Sequence, residues 1–130
     1  MTTQLYNNGE LAVLDGGLGS RSVDFGLYND STDALSDSAT YADITTEPSG
    51  ASYSVQTASG GSVALNGSND GEITYSDQTF DVSDSSESVD AAYVRDSSTG
   101  DLLFAVSLDQ TYDLSSVDEF VLSNTSLNLD

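Results

Sequence analysis

The sequence predicts an all-β protein, an antiparallel β-sandwich of about seven or eight strands with a short N-terminal helix. Three observations predict it. Apolar residues alternate with polar ones in short runs from residue 20 onward, turn-forming Ser, Asp, Asn and Gly separate those runs, and only the first segment carries helical spacing. Residues 1–130 read as one domain, with a helical segment over 5–19 and strands and loops over 20–130. No internal repeat and no domain boundary interrupts it.

In the helical segment Leu11, Leu14 and Leu18 recur at helical intervals, Asn7 or Asn8 can cap, and Glu10 suits the first turn. Gly16, Gly17 and Gly19 end it. A helix this short persists only when its apolar stripe docks on its own sheet or on a neighbouring subunit. Val23, Phe25 and Leu27 then alternate as a strand. Residues 29–40 are a polar loop, followed by Tyr41, Ile44 and a turn at Glu47-Pro48-Ser49-Gly50. Tyr53 to Thr57 alternates again, Gly60-Gly61 breaks it, and Val63 to Leu65 follows. Ile73, Tyr75, Phe80 and Val82 predict a strand with a bulge or short turn near Asp77. Residues 89–95 and 102–108 flank the turn-formers Asp96 to Gly100, the clearest hairpin in the chain. Its second arm is nearly continuously apolar, which predicts a central strand. Phe120 to Leu122, with Leu127 and Leu129, predicts a last strand.

Composition decides the environment. Seventeen Asp and five Glu face two Arg, with no Lys and no His, for a formal net charge of -20. Such a chain repels itself at low ionic strength. In molar salt the Debye length falls to about 3 Å and most of that penalty vanishes. Scattered acids among Ala, Val and Leu therefore read as adaptation to concentrated salt, the alternative being an acidic tail-like or mineral-binding protein. The apolar periodicity argues against disorder. With no Cys there is no disulfide framework and no thiolate nucleophile. Met1 to Leu5 has neither a basic nor an apolar signal region, which predicts no ordinary secretory signal, and no apolar run approaches a membrane span. Two arginines make nucleic acid an unsuitable partner.

Catalytic motifs are not found. Without His, neither a neutral-pH imidazole base nor a Ser-His-Asp triad can be built. Among 22 acids a suggestive carboxylate pair arises by chance, so a glycosidase reading has no support. Gly16-Gly17-Leu18-Gly19 lacks the Lys of a phosphate loop and is better read as a helix terminus. Asp30, Asp33, Asp81 and Asp84 could offer oxygens to a hard cation, but their spacing is not that of an EF-hand and solvated acidic loops explain them. Asn29, Asn66 and Asn124 begin Asn-X-Ser/Thr sequons, about as many as chance supplies. Arg21 and Arg95 are expected beside carboxylates, or Arg95 in an ion pair across a subunit interface. No catalytic, cofactor-binding or metal-binding residue is assigned.

Phe25-Gly26-Leu27-Tyr28-Asn29-Asp30-Ser31-Thr32-Asp33 with residues 42–47, Tyr75 to Val82, and residues 92–105 together resemble small virion structural proteins of tailed viruses. The resemblance spans about residues 5–129. It implies a non-enzymatic particle component, a capsid decoration or turret subunit on the capsid surface, with a tail or baseplate protein as the alternative. A halophilic cell-surface binding module is the alternative outside viruses. The acid excess directs the resemblance toward viruses of halophilic, archaeal hosts. The implied partners are other virion proteins, foremost the major capsid protein, and further copies of the chain. Leu11, Leu14, Leu18, Arg95, Leu127 and Leu129 are the expected subunit-interface residues.

Overall fold

Residues 4–129 are described by a computed structural model. Their order is α1 (Asn7–Gly16), β1 (Ser22–Tyr28), the one-turn helix α2 (Asp30–Asp33), β2 (Gln56–Ser59), β3 (Ser62–Leu65), β4 (Gly71–Thr74), β5 (Gln78–Asp81), β6 (Ser88–Asp96), β7 (Leu102–Asp113), β8 (Glu119–Leu122) and β9 (Ser126–Leu129). Short 3-10 turns lie at Tyr41–Asp43 and Leu114–Ser116. The fold is all-β with a short N-terminal helix, as the alternation predicts. The strands number nine and all pair antiparallel.

One layer is a four-stranded sheet in the order β2-β1-β6-β7, and the other comprises β3-β4-β9 and β5-β8. The two small sheets are halves of one interrupted ladder. Gln78 faces Leu122 and Thr74 faces Ser126, so the register is the same on both sides of the break. Tyr75 N–H donates to the Thr125 carbonyl at 3.0 Å across it. The phase shift near Asp77 thus marks a gap in pairing, and the strand expected over residues 120–129 is divided opposite it, where Asn124 adopts φ 59°.

Alternation builds the core. Val23, Phe25 and Leu27 of β1 and Ala92 and Val94 of β6 face Ile73, Phe80, Val82 and Leu122 of the second layer. Each such fully buried Val, Leu, Ile or Phe contributes roughly 1.5–3 kcal/mol relative to exposure. A register shift between Val89 and Ala91 lets Val89 join the same core despite its opposite parity.

Two expectations are corrected. The continuously apolar arm β7 is an edge strand, not a central one; β1 and β6 are central. Its apolarity arises because both of its faces are partly covered: Leu103, Phe104, Val106 and Leu108 pack on the core, while Leu102 packs on the opposite side of the sheet. Asn7 and Asn8 do not cap α1, which begins at Asn7 with Tyr6 as an N-cap lacking a side-chain bond. Tertiary anchors fix the helix instead. Leu14 inserts into the core, and the buried Glu10 carboxylate accepts Gly71 N–H at 2.6 Å. An added Cβ on Gly71 would lie 2.7 Å from Glu10 Cβ, so this approach requires glycine.

Candidate functional site

The face of the four-stranded sheet turned away from the core carries Tyr28, Ala91 and Tyr93. Residues 29–55, with little regular structure beyond α2 and a 3-10 turn, fold over it as a flap, bringing Leu35, Tyr41, Ile44 and Val55 against those residues. This cover explains why β1 is buried along almost its whole length, although its sequence alternates.

At the centre of the cover stands Glu47. Its Oε1 accepts the hydroxyl of Tyr41, and its Oε2 accepts those of Tyr53 and Tyr93, each at 2.6 Å. That length is typical of a charge-assisted bond. The Tyr53 hydroxyl also accepts Leu27 N–H at 3.0 Å, tying the flap to the C-terminal end of β1. Gly26 lies directly opposite Tyr93, and a Cβ there would stand 2.2 Å from the Tyr93 ring. Glycine lets the ring lie across β1 and reach Glu47. Burial first, and the carboxylate second, push the Tyr93, Tyr53 and Tyr41 hydroxyls above the ordinary phenol range. They remain donors at neutral pH and cannot serve there as bases.

Arg95 closes the cluster. Its guanidinium lies 4.4 Å from the Tyr41 ring centroid, and its Nε donates to Asp24 at 3.1 Å, the residue opposite it on β1. Asp24 in turn accepts the Thr57 hydroxyl at 2.6 Å. Arg21 pairs with Asp96 at 2.5 Å at the end of the same two strands.

Several of the flap's other attachments end on carboxylates, and Asp33 braces the flap internally. Asp90 accepts Asp30 N–H at 2.6 Å and the Ser31 hydroxyl. Asp33 accepts Thr45 N–H at 3.1 Å and the hydroxyls of Thr45 and Thr46 at 2.7 and 2.8 Å. Glu87 accepts Ser49 N–H at 3.1 Å together with its hydroxyl, and Asp84 accepts Ser52 N–H. The Ser49 bond holds the Glu87 carboxyl below its usual range, and the Ser31 bond does the same for Asp90. For Asp33 partial burial acts upward but is outweighed by the bonds from Thr45 and Thr46, so its carboxyl is also lowered.

These contacts reassign several residues. Asp30, Asp33, Asp81 and Asp84, considered above as cation ligands, each accept hydrogen bonds from neighbouring backbone or side-chain donors. No group of three His, Cys, Asp or Glu gathers as a metal-ligand set among the described residues. Of the expected interface residues, Leu14 is 3% exposed within its own core and offers no surface to a neighbour. Leu18, Leu127 and Leu129 pack partly buried on that core, and Leu11 is half-buried beside Val63. The helix docks on its own sheet because β3 and β4 leave their flank open to it. Arg95 is engaged within the chain by Asp24 and Tyr41, in keeping with its expected place beside a carboxylate. The Asn29 side chain caps α2 through Thr32 N–H and donates to the Ser88 carbonyl, so both ends of its amide are in use.

The Glu47 cluster was missed in sequence. Its signal was Tyr41, Tyr53 and Tyr93 among apolar neighbours, hydroxyl-bearing rings that call for an acceptor when buried.

Fold and site together define an all-β, sandwich-like domain whose polar groups hold the structure closed. No family model, curated protein or solved structure matches the chain. No helix among the described residues is long and apolar enough to cross a membrane.

Proposed function

We propose that the chain is a non-enzymatic structural protein of a virus particle, a capsid decoration or turret subunit of a tailed virus whose host lives in concentrated salt. The observation that carries this reading is the convergence of three of the four segments on which the resemblance rests, Tyr75 to Val82 lying in the other layer. Phe25 to Asp33, residues 42–47 and residues 92–105 meet on one side of the central sheet, where Thr46 donates to Asp33 at 2.8 Å and Tyr93 donates to Glu47 at 2.6 Å. Residues that fasten a cover to a sheet suit a particle component that must stay folded while exposed. The phenols of the cluster are held as donors and its carboxylate already accepts three hydroxyls, which favours a structural over a reactive role. Expected partners are the major capsid protein and further copies of the chain, with contacts built from apolar burial and hydrogen bonds because exposed ion pairs are screened in salt.

Mass spectrometry of purified particles with copy-number measurement tests the proposal. On the order of hundreds of copies per particle supports a capsid subunit, and about six or a dozen supports a tail or baseplate protein instead. Absence from particles refutes the structural reading. The halophilic part is tested separately by melting. Cooperative unfolding is expected in molar salt and lost near 0.1 M, where roughly 10 Å of screening length leaves the acids in mutual repulsion. Unchanged melting across that range contradicts it.

A further inference from the structure

Two edges of the sandwich lie open beside each other. β7 ends the four-stranded sheet, and β8 pairs only with β5. Between them runs a groove of about 420 Å³ lined by Val106, Leu108, Tyr112, Phe120, Leu122 and Thr125 among others. Val121 on its rim is 48% exposed. Thr125, which lines the groove, keeps a buried hydroxyl that has no hydrogen-bond partner among the described residues. On the other face of the same strand, Leu35 and Ala39 stand beside Leu102 to Ala105 around a second hollow of about 280 Å³. A strand added to this edge would send alternate side chains into the two hollows, as edge-pairing peptides do.

The edge is unguarded where it is regular. From Phe104 to Ser107 the pairing with β6 runs without interruption, and the register shifts on either side of that stretch, between Leu102 and Phe104 and beyond Ser107. Leu102 to Leu108 contains no charge and no proline, the devices that normally keep edges apart. In a chain with net charge -20, seven consecutive uncharged residues keep carboxylates off the open edge strand itself, with Asp37 at the second hollow beside it. In molar salt the like charge elsewhere on the two copies is screened, while main-chain hydrogen bonds persist.

We infer that the β7 edge over Phe104 to Ser107 pairs antiparallel with the same edge of a second copy, joining two four-stranded sheets into one across a two-fold axis. The pairing does not depend on the proposed virion role.

Sedimentation velocity in molar potassium chloride tests it, using the wild type, Ala105→Asp and Ala105→Lys. Ala105 is exposed on β7, so either substitution leaves the monomer folded. A wild-type dimer, with both variants monomeric and melting like the wild type, is the expected result. Both charge signs must act, because each sets like charges near the two-fold axis. A monomeric wild type, or a dimer that survives either substitution, overturns the inference. Should the variants fail to fold, amide exchange of the wild type decides. Slowing of amides in residues 104–107 on raising protein concentration supports the pairing, and concentration-independent exchange there overturns it.

Discussion

The two faces of the central sheet are held by different physics. Toward the core, Val23, Phe25, Leu27, Ala92 and Val94 meet only apolar partners, and burial alone fixes them. On the opposite face the flap adds an apolar patch around Tyr28 and Tyr93, but its fastenings are carboxylates: Glu47, Asp33, Asp84, Glu87 and Asp90. A chain loaded with Asp and Glu for its surface uses several of them as acceptors for backbone N–H and hydroxyl groups. One face should therefore respond to packing changes and the other to acid.

Substitutions on the two faces separate these contributions. The largest loss is expected for Phe25→Ala, which empties a fully buried site in edge contact with Tyr75 at 5.3 Å. About 3–5 kcal/mol should disappear from the denaturant-derived unfolding free energy, with core and flap melting together. Glu47→Gln comes next. The amide nitrogen cannot accept, so at least one tyrosine O–H loses its acceptor, and roughly 1–3 kcal/mol is lost. Near-UV circular dichroism of the tyrosines should change while exchange of the β1 and β6 core amides does not, and an unaltered tyrosine spectrum would remove Glu47 from the centre of the cover.

The arginines give the smallest effects and the finest comparison. Arg95 is partly buried, paired with Asp24 and stacked on Tyr41, whereas Arg21 is 47% exposed over its pair with Asp96. Thermal melts in molar salt should show Arg21→Gln costing under about 1 kcal/mol and Arg95→Gln costing more. Equal losses would mean that the cation over Tyr41 contributes nothing beyond an exposed ion pair.

Much of this architecture is legible in local sequence, and the remainder is not for a common reason. Alternation in residues 23–27 and 89–95 marks strands, and Asp96 to Gly100 marks the hairpin of residues 89–95 with 102–108, where Gly100 takes φ 79° and its N–H reaches the Asp96 carbonyl at 2.8 Å. Period and turn chemistry are local properties. The position of β7 at the edge is not, because an apolar run records that both faces are covered and says nothing about the number of strand neighbours. Glu47 is equally silent. It lies six residues from Tyr41 and Tyr53 but forty-six from Tyr93, and only the folding of the flap over Gly26 brings them together. Leu14 was visible as an apolar helical position, yet whether it met its own sheet or a neighbour depended on the open flank of β3 and β4.

The central claim is that carboxylates fasten the flap while apolar burial fastens the sheet beneath it. Asp33, Glu87 and Asp90 have folded-state values below the ordinary carboxylate range, near 4 in the unfolded chain. Groups lowered in this way stabilise the fold fully above that range, and the contribution is lost as pH falls through their folded values. Residue-resolved hydrogen exchange in molar salt, followed from neutral pH downward and corrected for intrinsic exchange rates, tests this directly. The account predicts that amides of Asp30, Ser31, Thr45 and Ser49 lose protection while those of β1 and β6 keep theirs. Simultaneous loss across flap and sheet, or a flap indifferent to acid, would contradict it.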